Sequence, residues 1–344
     1  MAKPTRNTAE SDDDGPRKTL RLIGQEAALA VVSRALRQGR PPQAWLIAGP
    51  PGVGKATLAY RIARYLLAYG ATADGPADLA VPAGHPVAAQ VAAGSHPGLL
   101  LLKRGVDPET GKASNVLSVG EVRRLAGFFG LTSGAGGWRV AIIDTANDMN
   151  DAAANALLKM LEEPPARAML LVLANAPGRL LPTIRSRCQR LNLRPLAPRE
   201  EEKELAALFP AMNAEERAAL ARLSGGSLGA AIKLASGEGL ALAREAERLI
   251  DRAAAPDIPA LFALSERLGR ITDGLDMLGE FLANALAERI RARAGTPRLE
   301  RWALARERLI ASFARSDALY LDPRQTLLGA ARELRQAARR TGAL

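Results

Sequence analysis

The stretch GPPGVGKATLAY, residues 49–60, constrains the fold of this chain more than any other stretch. A short apolar run, 45–48, precedes it, and apolar residues at helical spacing follow it as far as Gly70. A phosphate-binding loop is a glycine-rich loop that lies between a buried strand and a helix. Its backbone N–H groups and the amino terminus of the helix face the bound anion. The stretch therefore predicts an α/β domain with a parallel sheet.

The loop matches the pattern G-x-x-x-x-G-K-[ST] at every position except the last. Ala56 stands where a hydroxyl group normally holds magnesium, and Thr57 lies one helical step, about 100°, further round. A second apolar run ends in Asp144, a candidate magnesium ligand, but Thr145 follows where a hydrolytic enzyme of this kind places a glutamate. The residues that remain available to hold a nucleotide are Gly49, Gly52, Gly54, Lys55, Thr57, Asp144 and Asn175.

These two defects predict that the chain is at most a weak ATPase by itself. Three interpretations stay open for the loop. It hydrolyses ATP with Thr57 or a water replacing the missing hydroxyl, it binds ATP or ADP passively, or it is a strand-to-helix turn retained for folding. No cofactor is required under the last two.

The chain has few cysteine and histidine residues, which disulfides and zinc sites require. One cysteine, Cys188, excludes an internal disulfide, and with only two histidines, His85 and His96, we expect no zinc site and no metal except beside a bound nucleotide. No apolar run approaches the length of about 18 residues that spans a membrane, and the first residues lack the layout of a secretory signal. We expect a cytoplasmic protein.

The net charge of +11 points to polyanionic partners or to a codon bias. Arginines make up 39 of the 47 basic residues, and alanine is abundant, as a codon bias would produce. Thirteen arginines and six acidic residues fall within 288–344, so the basic excess is concentrated there. This end is either a solvated helical surface or a contact zone for acidic partners.

Patterns along the chain predict four segments. Polar residues with balanced charge predict a disordered tail over 1–18. Alternating elements follow up to Pro195, with strands at 45–48, 99–102, 140–144 and 169–174, helices near 22–36, 58–70, 118–129 and 151–163, and a loop or irregular hairpin over 71–98. Beyond Pro195 every pattern is helical, with a glycine break at 225–226, and this part of the chain predicts one small and one larger helical domain.

The segment 151–198 resembles the clamp-loader branch of the AAA+ superfamily, in which NALLKxLEEPP and a later SRC are family motifs. This chain has NALLKMLEEPP and SRC, together with RLIGQE at 21–26 and GSHP at 94–97. The resemblance is dense over 21–198 and weak beyond. It implies an AAA+ P-loop domain at 19–195, a small helical lid domain at 196–243 and an all-α collar domain, used for oligomerisation, at 244–344.

The resemblance also implies roles for the SRC residues. It assigns Arg187 as an arginine finger that enters the ATP site of a neighbouring subunit, with Ser186 and Cys188 as structural members of the motif. A guanidinium suits this role because it is permanently charged and forked. From the residues alone, Arg187 is one of several nearby arginines that pair at a surface. At the nucleotide site Gly229 departs from the family, which has a lid arginine there, while Asn175 keeps the polar position that senses the γ-phosphate in the family.

The partners implied are the tau/gamma ATPase subunits and the delta subunit of the bacterial DNA polymerase III clamp loader. Through the complex the chain meets the sliding clamp and primer–template DNA, without sequence specificity. It would be a framing subunit of a DNA-directed DNA polymerase holoenzyme. The alternatives are a catalytically active AAA+ ATPase of the tau/gamma motor type, an independent DNA-binding protein and a scaffold without a finger.

Overall fold

A computed structural model describes residues 15–104, 116–130, 137–235, 237–271, 274–293, 299–319 and 321–341. The chain forms two compact units, one of 1–201 with 226–229 and one of 202–225 with 230–344. Residues 1–14 of the predicted tail lie outside the described residues. The last four, 15–18, form a turn in which the Lys18 N–H donates to the Gly15 carbonyl over 2.9 Å, which corrects the predicted end of the tail.

The first unit is built on a five-stranded sheet in which every pair of neighbouring strands is parallel. The strands are β1 (Ala44–Ala48), β2 (Leu99–Leu102), β3 (Arg139–Ile143), β4 (Ala168–Ala174) and β5 (Gln189–Asn192). Their order across the sheet is β2-β3-β4-β1-β5. The first four strands confirm the predicted ones. The fifth was not predicted because only Leu191 of its four residues is buried.

Helices cover both faces of this sheet. On one face a buried cluster includes Leu36, Leu58 and Val91, and on the other face a second cluster includes Leu125 and Ile184. The helices are α1 (Glu26–Arg37), α2 (Lys55–Tyr69) and α3 (Pro86–Ala93) on the first face, and α4 (Val119–Gly130), α5 (Asp151–Glu162) and α6 (Pro182–Arg187) on the second.

Helix α3 corrects the prediction of a loop or hairpin over 71–98. Its start is stabilised by the His85 ring, whose Nδ1 accepts from the Val87 N–H over 3.2 Å. Pro86 occupies the first helical position, where a missing N–H costs no hydrogen bond. The helix buries Ala88 and Val91.

After β5 the described chain is helical, as predicted. The helices are α7 (Pro198–Leu208), α8 (Ala214–Ser224), α9 (Leu228–Ala235), α10 (Gly239–Asp251), α11 (Ile258–Leu268), α12 (Gly274–Ala292), α13 (Glu300–Leu319) and α14 (Pro323–Thr341). In the second unit α12 packs on α10 and α13, and α14 packs on α11 and α13. Arg289 of α12 pairs with Asp251 over 2.6 Å and with Glu247, both on α10. In the described parts of the chain, no helix has the length and apolarity needed to cross a membrane.

Candidate functional site

The phosphate-binding loop joins β1 to α2, as the sequence predicts. The Gly49 N–H donates to the Ala174 carbonyl over 3.1 Å and so attaches the start of the loop to the end of β4. Gly52 and Gly54 have φ of 72° and 102°, a region that strongly favours glycine. The loop therefore has the backbone path of a phosphate cradle, and α2 begins at Lys55 with its amino terminus at the loop.

Lys55 is buried against its own loop and is only 7% exposed. Its ammonium group donates to the Gly49 carbonyl over 2.8 Å and to the Pro50 carbonyl over 2.7 Å. Burial lowers the pKa of Lys55 to about 8, and the nearby Asp144 carboxylate opposes this shift. The charged form is therefore destabilised here, and an anion on the loop would stabilise it.

The segment Gly226–Gly229, here called the latch segment, binds the tip of the phosphate-binding loop. The Ser227 hydroxyl donates to the Pro51 carbonyl over 2.9 Å, and the Gly229 N–H donates to the Gly52 carbonyl over 3.0 Å. A Cβ atom on Gly229 would lie 2.7 Å from the Cα of Gly52. The position that carries an arginine in related lid helices therefore has no room for any side chain in this arrangement.

The latch segment is itself fixed at its start. The Gly226 N–H donates to the Glu201 carboxylate over 2.9 Å, and the Gly226 carbonyl accepts from the Leu196 N–H over 2.9 Å. Sequence reasoning missed these contacts, because the glycine pair at 225–226 reads only as a break between helices.

Asp144 and Asn175 follow β3 and β4 directly. Parallel strands end at one edge of the sheet, so both residues lie at the edge from which the phosphate-binding loop emerges. The Thr145 hydroxyl donates to Asp144 over 3.1 Å. Ala56 packs on the buried cluster beneath α2 and has no oxygen to offer, and Thr57 is half-buried.

Asn147 is a structural residue of this edge that the sequence did not indicate. Its side-chain oxygen accepts from the N–H groups of Asn175 and Ala176 over 2.8 and 3.1 Å, and its amide group donates to the Ala176 carbonyl over 2.7 Å. Three hydrogen bonds from one side chain thus hold the backbone on which Asn175 stands.

The two histidines have local roles. His85 caps α3, and the Nδ1 atom of His96 accepts from the Gly98 N–H over 3.0 Å. Burial lowers the pKa of His96, which favours its neutral form. The described residues contain no group of three or more His, Cys, Asp or Glu side chains placed to hold a metal ion.

The SRC motif lies where α6 ends and β5 begins. The Arg187 side chain is 38% exposed, and its Nη2 atom lies 2.8 Å from the Glu162 carboxylate. Its Nη1 atom donates to the Thr183 carbonyl over 3.3 Å, and the Ser186 hydroxyl donates to the same carbonyl over 3.1 Å. Cys188 is buried in the cluster with α5 and α6, and burial raises the pKa of its thiol to about 11, so it packs and does not act as a nucleophile.

Arg187 and the phosphate-binding loop lie at opposite ends of the parallel strands. The loop is at the edge of the sheet formed by their carboxyl ends, and Arg187 is at the edge formed by their amino ends. In the parallel pair of β1 and β5, Trp45 is opposite Gln189 and Ala48 is opposite Asn192. Arg187 comes two residues before this pairing starts, whereas the loop begins immediately after it ends. Three strand steps alone separate the two edges by about 10 Å. Arg187 is therefore not placed to contact a phosphate held at its own loop.

Known proteins resemble parts of this chain. The family whose sequence profile matches residues 24–197 is described as "DNA polymerase III, delta subunit". The chain is 41% identical to DNA polymerase III subunit delta′ of Pseudomonas aeruginosa over 122 residues, which cover 35% of this chain and 34% of the relative. It is 37% identical to subunit delta′ of Escherichia coli over 134 residues, 37% of this chain and 35% of the relative. The matches thus span about a third of the length of these curated relatives.

A solved structure resembles the chain over more of its length. A DNA polymerase III gamma subunit-related protein from Thermotoga maritima aligns with 90% of this chain and 99% of its own, at 19% identity and a TM-score of 0.51. At that identity the likeness concerns the fold alone. It agrees with an AAA+-type α/β unit followed by helices.

Proposed function

The chain belongs to the family described as DNA polymerase III, delta subunit, and from that premise we propose that it is a delta-prime-like subunit of the clamp loader. In this proposal it frames a pentameric ring together with delta and the tau/gamma ATPase subunits. Arg187 enters the ATP site of the neighbouring motor subunit. The assembled loader opens the sliding clamp and places it on primed DNA in the cytoplasm, at any sequence.

The position of Arg187 carries this proposal. Its guanidinium is partly exposed, and it lies at the sheet edge opposite its own phosphate-binding loop. A guanidinium in that place cannot contact a nucleotide bound at the chain's own phosphate-binding loop, but it is accessible to a second subunit. Because a guanidinium is permanently charged and offers a fork of N–H donors, it stabilises the negative charge on a phosphoryl group in transfer.

The chain's own loop supports a framing role over a motor role. Ala56 lacks the hydroxyl that would hold magnesium, and Thr145 lacks the carboxylate that would position the attacking water. Lys55 donates to carbonyl groups of the loop, and Gly229 leaves no space for a lid arginine. We propose that ATP or ADP binds here passively or not at all, and that no zinc is needed.

One observation favours a second candidate, an active AAA+ ATPase of the tau/gamma type. The glycine loop, Lys55 and Asp144 lie at one edge of the sheet, close enough for Asp144 to affect the pKa of Lys55. Steady-state ATP hydrolysis by the purified chain without partners would support this candidate and contradict the framing role.

The proposal is tested by Arg187→Ala in a loader reconstituted with the delta and tau/gamma subunits. An arginine finger supplied in trans accelerates phosphoryl transfer by about 10³-fold or more. We therefore expect one motor site to become inactive. If the three motor sites hydrolyse ATP independently, the loader loses about a third of its ATPase activity, and it loses more if hydrolysis passes from one site to the next. Clamp loading on primed DNA should fall at least as far.

Arg190→Ala is the matched control, because Arg190 is an exposed arginine only three residues away, on β5. It removes one positive charge from the same region without touching α6. Equal ATPase activity of the two variants would refute the finger role of Arg187 and favour a scaffold.

A further inference from the structure

We propose that Glu162 is the positioning residue for Arg187. Its carboxylate holds the guanidinium where a neighbouring subunit's phosphoryl group can meet it. This inference rests on the proposed role of Arg187 in trans and adds a second residue to it.

The contacts define one position for the guanidinium. Nη2 of Arg187 lies 2.8 Å from Oε1 of Glu162, and Nη1 donates to the Thr183 carbonyl over 3.3 Å. The two terminal nitrogens are therefore held from two different helices, α5 and α6. A long side chain held at both nitrogens samples far fewer rotamers than one that is free in water.

Holding the guanidinium in this way does not use up its donors. An arginine has five N–H groups, and each terminal nitrogen carries two of them. The two contacts need one proton from each terminal nitrogen. One proton on each terminal nitrogen and the Nε proton remain for a phosphoryl oxygen. The side chains of Arg187 and Glu162 are 38% and 50% exposed, so the pair remains accessible to another subunit.

The location of Glu162 is not explained by helix stability. Glu162 is the last residue of α5, where the carbonyl end of the helix disfavours a negative charge. Arg187 ends α6, where a positive charge is favoured. Both helices end shortly before a strand of the parallel sheet, so both ends lie at the same sheet edge. An ion pair with Arg187 is the interaction that this carboxylate makes there.

Glu163 provides a matched control within the chain. It is exposed, it is adjacent to Glu162, and its backbone N–H donates to the Lys159 carbonyl over 3.2 Å. Among the described residues, no ion-pair partner faces its side chain. A change of Glu163 therefore alters the charge of the same helix end without altering the contact to Arg187.

The experiment compares Glu162→Gln, Glu163→Gln, Arg187→Ala and the Glu162→Gln/Arg187→Ala double variant in the reconstituted loader. Glutamine keeps the size of the side chain and removes its charge. We expect Glu162→Gln to slow ATP turnover about two- to fivefold at the one motor site that Arg187 serves, as loss of an exposed ion pair predicts. The loader as a whole should therefore lose less ATPase activity than it does with Arg187→Ala, and KM for ATP should be unchanged. We expect Glu163→Gln to behave as wild type. In the Arg187→Ala background, Glu162→Gln should have no further effect, because the two residues act as one unit.

Each outcome separates the two claims. Loss of activity in Arg187→Ala, with Glu162→Gln equal to Glu163→Gln, overturns the positioning role and leaves the finger role in place. An equal loss from Glu162→Gln with and without Arg187 shows a general structural role and also overturns it. Full activity of Arg187→Ala overturns the proposed function, and this inference with it. A thermal melt of each variant checks that folding is retained.

Discussion

Replacing the buried lysine of the phosphate-binding loop by methionine is expected to change how stability depends on pH. Burial lowers the pKa of Lys55 from 10.5 to about 8 in the folded chain, against the opposing effect of Asp144. In the unfolded chain the lysine keeps its ordinary pKa. Between pH 8 and 10.5 the unfolded state therefore binds a proton that the folded state has lost. Stability of the wild type rises with pH wherever the unfolded state binds more protons.

The size of the effect follows from the difference between the two pKa values. A change from 10.5 to about 8 corresponds to about 3 kcal/mol, because each pKa unit is worth about 1.4 kcal/mol. Methionine has a similar volume and no proton to lose. The stability of the wild type relative to Lys55→Met should thus increase by up to about 3 kcal/mol across the window. The value at any single pH also contains the two hydrogen bonds that Lys55 donates, so the change with pH is the quantity to measure.

The assay is urea unfolding of the full chain from about pH 7 to pH 10.5, followed by tryptophan fluorescence. Trp45 and Trp138 lie in the first unit and report on its unfolding. Other titrating groups, including the Cys188 thiol with its raised pKa, are present in every variant and cancel in the difference. Lys159→Met is the control, since Lys159 is exposed on α5 and its charge stays in water. A constant difference between wild type and Lys55→Met over the whole window would refute the reasoning.

Three further outcomes are expected. In the reconstituted loader, Lys55→Met should keep most of the ATPase activity that Arg187→Ala loses, since the framing role needs no nucleotide on this loop; a loss of equal size contradicts it. Gly229→Ala should lower the free energy of unfolding by about 1–3 kcal/mol, because its Cβ would lie 2.7 Å from Gly52. The midpoint of urea unfolding measures this loss. Gly127→Ala is the control and should cause no loss, because the space around Gly127 is open. Asn147→Ala should cost about 1–3 kcal/mol and speed amide exchange at 175–176, because two backbone N–H groups lose their acceptor; unchanged exchange there argues against the role given to Asn147.

The predicted elements of the first unit were confirmed where the pattern was strong. Strands β1 and β4 are buried along their whole length, and such strands read as uninterrupted apolar runs. Strand β5 lacks that signal, because three of its four residues are exposed and, among the described strands, β1 is the one that it pairs with. Helix α3 was missed for a different reason. Its small residues stand among glycines and prolines, and its start depends on the capping contact of His85.

The candidate site was predicted in its chemistry but not in its contacts. Lys55, Asp144 and Asn175 were named from their places after strands, and the structure puts all three at one edge of the sheet. Nothing in the sequence indicated that Asn147 holds the backbone of Asn175, or that the latch segment binds the loop.

The amino-acid sequence already fixes the chemistry that each side chain can perform. Ala56 has no oxygen for a metal ion and Arg187 carries its charge in any fold, because these properties belong to the side chains. Which of these groups come into contact depends on the folded arrangement of the helices and strands. Ser227 reaches Pro51 across 176 positions of the chain, and Glu162 meets Arg187 because α5 and α6 end at the same edge of the sheet. Helix and strand patterns are local, whereas such contacts depend on the order β4-β1-β5, which no local pattern contains.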